Sequence, residues 1–174
     1  MLACYLLPAP QFGRAKMAKT YDLAIVGGGI CGLATALAAS KRGKRVVVVD
    51  RDAQSNGASV RNFGFVTVTG QKAGETWERA RRSAEIWREI APKAGIPVLH
   101  EGLMVTAQRP EAVAVLEEFA ATEMGRECTL LTAGEAAAKA PVLASDRLAA
   151  AMWSPHEGRV EPRQALPRVA HYLQ

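Results

Sequence analysis

The sequence predicts an α/β fold that opens with an incomplete Rossmann-like domain and continues into part of an α+β domain. Residues 21–26 and 45–50 each carry a continuous apolar stretch, which is typical of buried parallel strands. Between them, the alanine- and leucine-rich residues 33–42 favour a helix that Gly43 ends. Strand, helix and strand in this order form a βαβ unit.

A glycine-rich turn joins the first strand to the helix, and Gly27, Gly29 and Gly32 fill the pattern G-x-G-x-x-G. Gly27 permits the tight turn, Gly29 lets a diphosphate approach the backbone, and Gly32 lets the helix pack closely on the sheet. The diphosphate would lie on free N–H groups at the positive end of the helix dipole. Asp50, at the carboxyl end of the second strand, would accept hydrogen bonds from ribose hydroxyls and repel a 2′-phosphate.

The surroundings of this motif determine how much it predicts. A glycine pattern alone is weak evidence, because glycine-rich turns serve many purposes. Here a strand precedes the pattern, a helix follows it, and a second strand ends in an acid. This context favours a dinucleotide site over the alternative, a tight strand-to-helix turn that binds nothing.

Composition and charge argue against several classes of protein. Hydrophobic residues make up 49% of the 174 residues and charged residues 22%, which is typical of a globular protein with a core. Much of the net charge of +5 comes from Arg14, Lys16 and Lys19, so the rest of the chain has no strongly basic surface. We therefore expect no nucleic-acid partner, no membrane patch and no transmembrane segment.

The cysteines and histidines indicate neither disulfides nor a metal site. Cys4, Cys31 and Cys128 are widely spaced and form no C-x-x-C pair, which fits a cytoplasmic protein. Cys31 lies in the first turn of the nucleotide helix, where we interpret it as a small apolar filler. The histidines are scattered along the chain and predict no metal cluster.

The first twenty residues predict an extension rather than part of the first domain. Pro8 and Pro10 break any helix, and residues 2–7 lack the basic start and the cleavage pattern of a signal peptide. Met17 stands shortly before the first strand and would make a natural start. We expect residues 1–20 to be a disordered extension, of which residues 1–16 are either disordered or absent from the native protein.

Several segments after the βαβ unit follow a family pattern. Residues 58–64, 102–104, 132–141 and 158–162 come in the order seen at the front of FAD-dependent oxidoreductases. The chain resembles the D-amino-acid oxidase superfamily, which includes glycine oxidase and sarcosine oxidase. Residues 58–64 look most like a branch associated with aminophosphonate breakdown. The resemblance spans about residues 21–173, essentially all of the chain that we expect to be ordered.

The resemblance implies bound FAD and a set of residues that hold it. The diphosphate would meet the glycine-rich turn, the adenosine ribose would meet Asp50, and the flavin end would be approached by Ser59, Arg61 and Asn62. Arg61 is the candidate catalytic residue, polarising the flavin or holding an anionic substrate; a phosphate or structural contact is the alternative. The cofactor-binding residues expected are Gly27, Gly28, Gly29, Ile30, Cys31, Gly32, Asp50, Arg51, Ser59, Arg61 and Asn62.

The resemblance also divides the chain into parts. Residues 21–73 would hold the FAD-binding βαβ unit and the flavin loop, residues 74–154 part of the substrate domain, and residues 155–174 a helix that returns to the FAD domain. A doubly wound sheet needs more than two parallel strands. The family implies a second half about as long again, so we expect an N-terminal fragment of a larger oxidoreductase.

Periodicity and caps predict the remaining helices. Trp77 and Trp87 recur at helical spacing in residues 76–94, where a core stripe is favoured over a ligand-stacking role. Thr132 and Glu135 form the pattern of a capping box at the start of a short helix. Further helices are predicted at residues 111–124 and 162–173.

Short strands are predicted between these helices. Residues 98–100 and 103–107 would form a hairpin that turns at residues 101–102. Residues 148–153 predict another strand, and the turn expected directly after it would place His156 on the surface rather than in a catalytic role.

The reaction expected of the whole protein is oxidation of a C–N bond in a small amine or amino acid. Hydride transfer from the substrate carbon to the flavin would give an imine, which water hydrolyses to a carbonyl compound and ammonia or an amine. The electron acceptor would be oxygen or a quinone, and aminophosphonates are one substrate class. Two alternatives stay open: a truncated fragment without catalytic activity, and an NAD-dependent reductase.

Overall fold

The structure is a computed structural model, which describes residues 19–174 and the backbone of Ala3–Cys4. The extension expected at residues 1–20 falls almost entirely outside the described residues. In chain order the elements are β1 (Ala3–Cys4), β2 (Leu23–Val26), α1 (Ile30–Ser40), β3 (Val46–Asp50), β4 (Phe65–Val66), α2 (Glu75–Lys93), β5 (Val98–Ala107), α3 (Pro110–Ala120), β6 (Thr129–Leu131), α4 (Ala133–Lys139), β7 (Ala150–Val160) and α5 (Pro162–Tyr172).

These elements form two compact units. The first unit contains the described residues through Gly64, together with residues 90–97 and 161–174. The second unit contains residues 65–89 and 98–160. The βαβ unit therefore belongs to the first unit, and the larger antiparallel sheet belongs to the second. This mixed α/β architecture is the predicted fold class.

The first unit contains the predicted parallel strands. β2 and β3 pair in parallel register from Leu23 opposite Val46 to Val26 opposite Val49, and β1 pairs antiparallel with β3. The prediction that the first strand is buried is wrong, since the Val26 side chain is 88% exposed. Among the described residues, β3 is the strand neighbour of β2, so the other edge of β2 has no strand beside it.

Helix α1 begins inside the glycine-rich turn. The sequence predicts a start at Leu33, but the N–H of Leu33 already donates to the Gly29 carbonyl (2.9 Å), so the helix starts at Ile30. Gly43, with a φ of 71°, lets the chain turn towards β3. The buried face of the helix is formed by Leu33, Ala36 and Leu37.

The second unit is built around β7. The strand order is β4-β7-β5, and β6 also pairs with β7, all in antiparallel register. The sequence does not predict β6, because three residues are too few to show a period-two pattern. The longest strand of this unit is therefore its centre, and the shorter strands add to it.

The hairpin predicted at residues 101–102 is wrong. β5 runs through these residues as one strand, and its register against β7 shifts between Glu101 and Leu103. Gly102 has a φ of 77°, and the Trp153 ring occupies the space that a Cβ on Gly102 would fill. Gly102 thus forms a bulge within a strand rather than a turn between two strands.

Strand β7 also continues beyond its predicted end. The strand extends to Val160, and residues 155–157 bulge opposite Gly102. Pro155 falls in this bulge, where the ladder needs no N–H donor. The prediction that His156 lies on the surface is therefore wrong, and its side chain is buried.

Two apolar clusters join helices to strands in the second unit. Trp77 in α2 packs with Val68 and Ala84, which confirms its predicted place in the core. Leu116 in α3 packs with Met152 in β7. Burial of these side chains provides the main driving force for assembling the unit.

The capping box predicted for α4 is confirmed, and the end of α3 differs from its prediction. Thr132 Oγ1 accepts from the Glu135 N–H (3.3 Å) and the Glu135 carboxylate accepts from the Thr132 N–H (2.8 Å), which confirms the capping box. α3 ends at Ala120, four residues before its predicted end, because turns replace the helix there. The start of α4 therefore follows from neighbouring residues, whereas the end of α3 does not.

A buried carboxylate fastens the segment after β4 to β7. Glu157 is 7% exposed, and its Oε1 accepts from the N–H groups of Val68 (3.2 Å) and Thr69 (2.6 Å). The Thr69 hydroxyl also donates to the buried hydroxyl of Ser154 (2.8 Å). Burial by itself would raise the pKa of Glu157, but hydrogen bonds from these neighbours outweigh burial and lower it. Glu157 is therefore ionised at neutral pH.

We expect Glu157→Ala to destabilise the chain, because two backbone N–H groups lose their acceptor. The free energy of unfolding should fall by about 3 kcal/mol. Urea titration at pH 7, followed by tryptophan fluorescence, measures this change. Glu118→Ala is the matched control, because Glu118 is exposed on α3 and such changes stay within about 0.5 kcal/mol. Equal stabilities for the two variants would contradict the role of Glu157 as acceptor for the two backbone N–H groups.

The same carboxylate should make stability depend on pH. Folding lowers the pKa of Glu157, so its carboxylate adds to the stability of the folded protein. This added stability is fully present above the pKa that glutamate has in the unfolded chain, about 4.3. It is lost as the pH falls through the lowered pKa of the folded protein. Glu157→Gln should therefore be less stable than the wild type at pH 7, and the difference should shrink towards pH 3. Urea titrations across this range test the prediction, and a difference that does not change with pH would refute it.

Candidate dinucleotide site

The glycine-rich turn has the geometry that its pattern requires. Gly27 has a φ of 109°, and a Cβ on Gly32 would collide with the Gly27 carbonyl oxygen. The N–H groups of Ile30, Cys31 and Gly32 precede the first intrahelical hydrogen bond, so they point out of the helix end. No acidic residue stands in the first turn of α1, which leaves the positive end of the helix dipole without a neutralising side chain of its own.

Asp50 lies against the same turn. Its Oδ2 accepts from the N–H of Gly28 (2.5 Å) and its Oδ1 accepts from the N–H of Asp52 (2.9 Å). These two hydrogen bonds, from Asp52 first and Gly28 second, lower the pKa of the Asp50 carboxyl. An ionised acceptor therefore stands beside the N–H donors of the turn at neutral pH.

The loop after β3 folds back over the glycine-rich turn. The Ser55 hydroxyl donates to the Gly28 carbonyl (2.6 Å), and the Ser59 hydroxyl accepts from the N–H of Ile30 (3.0 Å). A Cβ on Gly29 would lie 3.0 Å from the Ser59 Oγ, so this glycine leaves the room that the serine occupies. Ser59 was expected at the flavin end of the cofactor, and the structure places it at the N-terminus of α1.

Asn62 shapes the loop that carries Ser59. Its side-chain N–H groups donate to the carbonyls of Ala58 (3.2 Å) and Ser59 (2.9 Å), and its Oδ1 accepts from the N–H of Gly64 (2.8 Å). Both ends of the amide are thus used within the loop. In this arrangement Asn62 supports the position of Ser59.

Arg51 and Arg61 line one open cavity in the first unit, beside Asp52, Asn56, Gly57 and Ala58. Arg51 forms an exposed ion pair with Asp52 (3.6 Å), and Arg61 donates to the side-chain oxygen of Asn56 (3.4 Å). Both guanidinium groups lie in exposed residues, so they are accessible to an anion.

Some of the predicted cofactor-binding residues thus lie together in the structure. The turn from Gly27 to Gly32, Asp50 and Ser59 share direct contacts, whereas Arg51 and Arg61 lie around the neighbouring cavity. The interpretation of Cys31 as an apolar filler is wrong, because this residue is exposed. Ser55 was missed, since no spacing rule relates a loop serine to a carbonyl 27 residues earlier.

Other kinds of site find no support in the described part of the chain. Residues 19–174 contain no group of three or more His, Cys, Asp or Glu side chains placed to hold a metal ion. No helix among them combines the length and the apolar character that a membrane span needs. The glycine-rich turn and its acid are therefore the strongest candidate site within these residues.

Residues 22–174 match the family described as FAD dependent oxidoreductase. The chain belongs to this family. It is 30% identical over 155 residues to the glycine oxidase of Geobacillus kaustophilus (strain HTA426), an alignment that covers 83% of this chain and 41% of the relative. The chain therefore spans less than half the length of that curated relative.

Solved structures share the fold over most of the chain. The L-proline dehydrogenase from P. horikoshii matches with a TM-score of 0.73 and 23% identity, covering 90% of this chain and 42% of that one. The glycine oxidase from Geobacillus kaustophilus matches with 0.70 and 27%, covering 88% and 44%. The L-α-glycerophosphate oxidase from Mycoplasma pneumoniae, solved with FAD bound, matches with 0.72 and 20%, covering 90% and 43%. Together with the family match, they confirm the predicted fold class and superfamily.

The cofactor of this family is FAD, and the first unit fits its diphosphate and ribose. The end of α1 offers N–H donors with no acid in its first turn, which suits a diphosphate. Asp50 is an ionised acceptor beside this end, which suits ribose hydroxyls. Gly29 and Gly32 leave spaces next to Ser59 and Gly27 that any other residue would fill.

We expect Gly32→Ala to weaken FAD binding by at least about tenfold, because its Cβ displaces the backbone of Gly27 and with it the turn. Quenching of FAD fluorescence during titration with protein measures the affinity. Gly134→Ala is the control, because a Cβ there meets nothing within 4 Å. If both variants bound FAD as tightly as the wild type, the proposed role of Gly32 in the FAD-binding turn would be contradicted.

Proposed function

We propose that this chain is the FAD-binding part of an oxidoreductase that oxidises a C–N bond in a small amine or amino acid. The observation that carries the proposal is the ionised Asp50 beside the N–H donors of a glycine-rich turn, in a chain whose residues 22–174 belong to the family. Helix N-termini bind phosphate groups through such donors, and acids at the second strand end bind ribose.

Different residues of the first unit would bind different parts of the cofactor. The N–H groups at the start of α1 receive the diphosphate, and the Asp50 carboxylate accepts from the ribose hydroxyls. Arg51 and Arg61 supply positive charge from the neighbouring cavity. Arg61 is our candidate for holding an anionic group of the substrate or for polarising the flavin, because its guanidinium is exposed and is held weakly by Asn56 (3.4 Å).

The chemistry that we propose follows from the cofactor and from the names of the relatives. When bound, the flavin supplies a two-electron acceptor. The substrate carbon would give a hydride to the flavin and its nitrogen a proton to solvent, and water would convert the resulting imine to a carbonyl compound and ammonia or an amine. Glycine oxidase, L-proline dehydrogenase and L-amino acid deaminase among the relatives are named for amino acids, which supports this substrate class. The contribution of the chain is to bind and orient.

The activity is proposed for the whole protein rather than for these residues alone. The chain spans 41% of its curated relative, so cofactor binding is the property that we expect of the 174 residues themselves. Oxygen and a quinone are the two candidate electron acceptors, and we propose a cytoplasmic location. The alternative of an NAD-dependent reductase loses support from the family match.

The first test is a visible absorption spectrum of the purified chain after FAD is added and the excess is removed by gel filtration. Flavin bands that elute with the protein support the proposal; a colourless protein contradicts FAD binding by this chain. Parallel samples with NAD and NADP test the nicotinamide alternative. If FAD is retained, the whole protein is then assayed with glycine, other small amino acids, amines and aminophosphonates. Peroxide formation indicates oxygen as the acceptor, and reduction of a quinone-like dye without peroxide indicates a quinone.

We expect Asp50→Ala to weaken FAD binding by about tenfold or more, because hydrogen bonds to a charged acceptor are lost. Equilibrium dialysis with FAD measures the dissociation constant. Asp52→Ala is the matched control: its carboxylate forms an exposed ion pair with Arg51, so the affinity should stay close to that of the wild type. Equal losses in the two variants would indicate a general charge effect and contradict a specific role for Asp50.

A further inference from the structure

We infer that the second unit binds the anionic group of a small molecule, a carboxylate or a phosphonate, through three side chains on neighbouring strands. These side chains, here called the Arg159 row, are Phe65 in β4, Arg159 in β7 and His100 in β5. Binding of an anion to this row is independent of FAD. Its assignment to the substrate, an amino acid or an aminophosphonate rather than a plain amine, rests on the proposed function.

The strand register brings the members of the row together. Arg159 lies directly opposite Phe65 on one side and directly opposite His100 on the other. Directly opposed residues of antiparallel strands project from the same face of a sheet, with their Cβ atoms about 5 Å apart. An arginine therefore stands between an aromatic residue and a histidine on one face, and all three residues are exposed.

The row combines hydrogen-bond donors with an apolar neighbour. The guanidinium carbon of Arg159 lies 5.9 Å from the centroid of the Phe65 ring, a cation–π contact that orients the guanidinium group. A guanidinium group contacts a ring through its face and binds two oxygens of a carboxylate or phosphonate through its edge. The imidazole of His100 adds an N–H donor. Phe65, which is 62% exposed, offers apolar contact to the carbon that carries the anionic group.

The acids nearest to the row in sequence point away from it or are engaged elsewhere. Glu101 follows His100, and successive residues of a strand point to opposite faces. The Glu157 carboxylate accepts from two backbone N–H groups after β4, and the Glu161 carboxylate accepts from the N–H of Arg163. The row therefore carries positive charge, which attracts an anionic group and repels a protonated amine.

The first test measures the binding of acetate and methylphosphonate to the chain without FAD. The imidazole signals of His100 and the Nε–H signal of Arg159 are followed by NMR. We expect saturable shifts at about millimolar concentration, which sodium chloride at the same ionic strength does not produce. The probe that binds more tightly identifies the class of anionic group. Shifts that do not saturate with either probe would overturn the inference.

Arg159→Gln should weaken the binding of both probes by about tenfold or more, because hydrogen bonds from a charged donor are lost. Arg159→Lys keeps the charge but loses the planar edge with its paired donors, so its affinity should fall between those of Arg159→Gln and the wild type. If Arg159→Gln does not fold, Arg159→Lys decides, and wild-type affinity in this variant would overturn the inference.

Arg109→Gln is the matched control, since Arg109 is also exposed in the second unit and lies outside the row. This variant removes the same charge and should bind both probes as the wild type does. If Arg109→Gln and Arg159→Gln lose affinity to the same extent, the net charge of the unit explains the binding and the row does not.

The assignment to the substrate is tested in the whole protein, with the amino acid or aminophosphonate that it oxidises. Arg159→Gln should raise KM by about tenfold and leave the amount of bound flavin unchanged. An unchanged KM, or a whole protein that oxidises only amines without an acidic group, would overturn this assignment. A chain that binds acetate but no FAD would refute the proposed function alone, whereas FAD binding without anion binding would refute the anion site alone.

Discussion

The first unit depends on how the N–H groups at the start of α1 are satisfied. A helix leaves its first N–H groups without intrahelical acceptors, and α1 has neither a capping side chain at Gly29 nor an acid in its first turn. The chain supplies acceptors from elsewhere: Asp50 for the turn and Ser59 for the helix end. This need explains why the loop after β3 folds back over the turn, and the N–H groups of Cys31 and Gly32 are the donors that we propose for an anion.

The second unit meets the same requirement with a buried side chain. The N–H groups of Val68 and Thr69 follow the short strand β4, and Glu157 from the β7 bulge accepts both. The carboxylate is buried, so breaking these contacts would leave a charge and two donors without partners. The bulge at Gly102 and Pro155 aims Glu157 at these donors. Gly102 and Pro155 resemble turn residues in the sequence, but in the structure they form the bulge that positions Glu157.

Local signals predicted what local chemistry determines, and contacts between distant residues escaped them. The glycine spacing and the capping box at Thr132 each depend on residues within a few positions, and the structure contains both. The continuity of β5 and β7 depends on pairing across about fifty residues, so Gly102 and Pro155 were interpreted as turn signals. The positions of Ser55 and Ser59 depend on contacts 27 and 29 residues away, which no spacing rule contains.

Charge distinguishes the two side-chain acceptors at the glycine-rich turn. Asp50 is ionised and repels a phosphate, so it excludes anions from Gly28 and favours hydroxyl groups there. Ser59 is neutral and accepts from the N–H of Ile30, so it does not repel an anion that approaches the remaining N–H groups of the helix end. A ligand that places a diphosphate next to a ribose satisfies both conditions at once, whereas free phosphate satisfies one. We therefore propose that the site favours a nucleotide over free phosphate, because Gly28 donates to an ionised acid whereas the neighbouring helix end has no acid in its first turn.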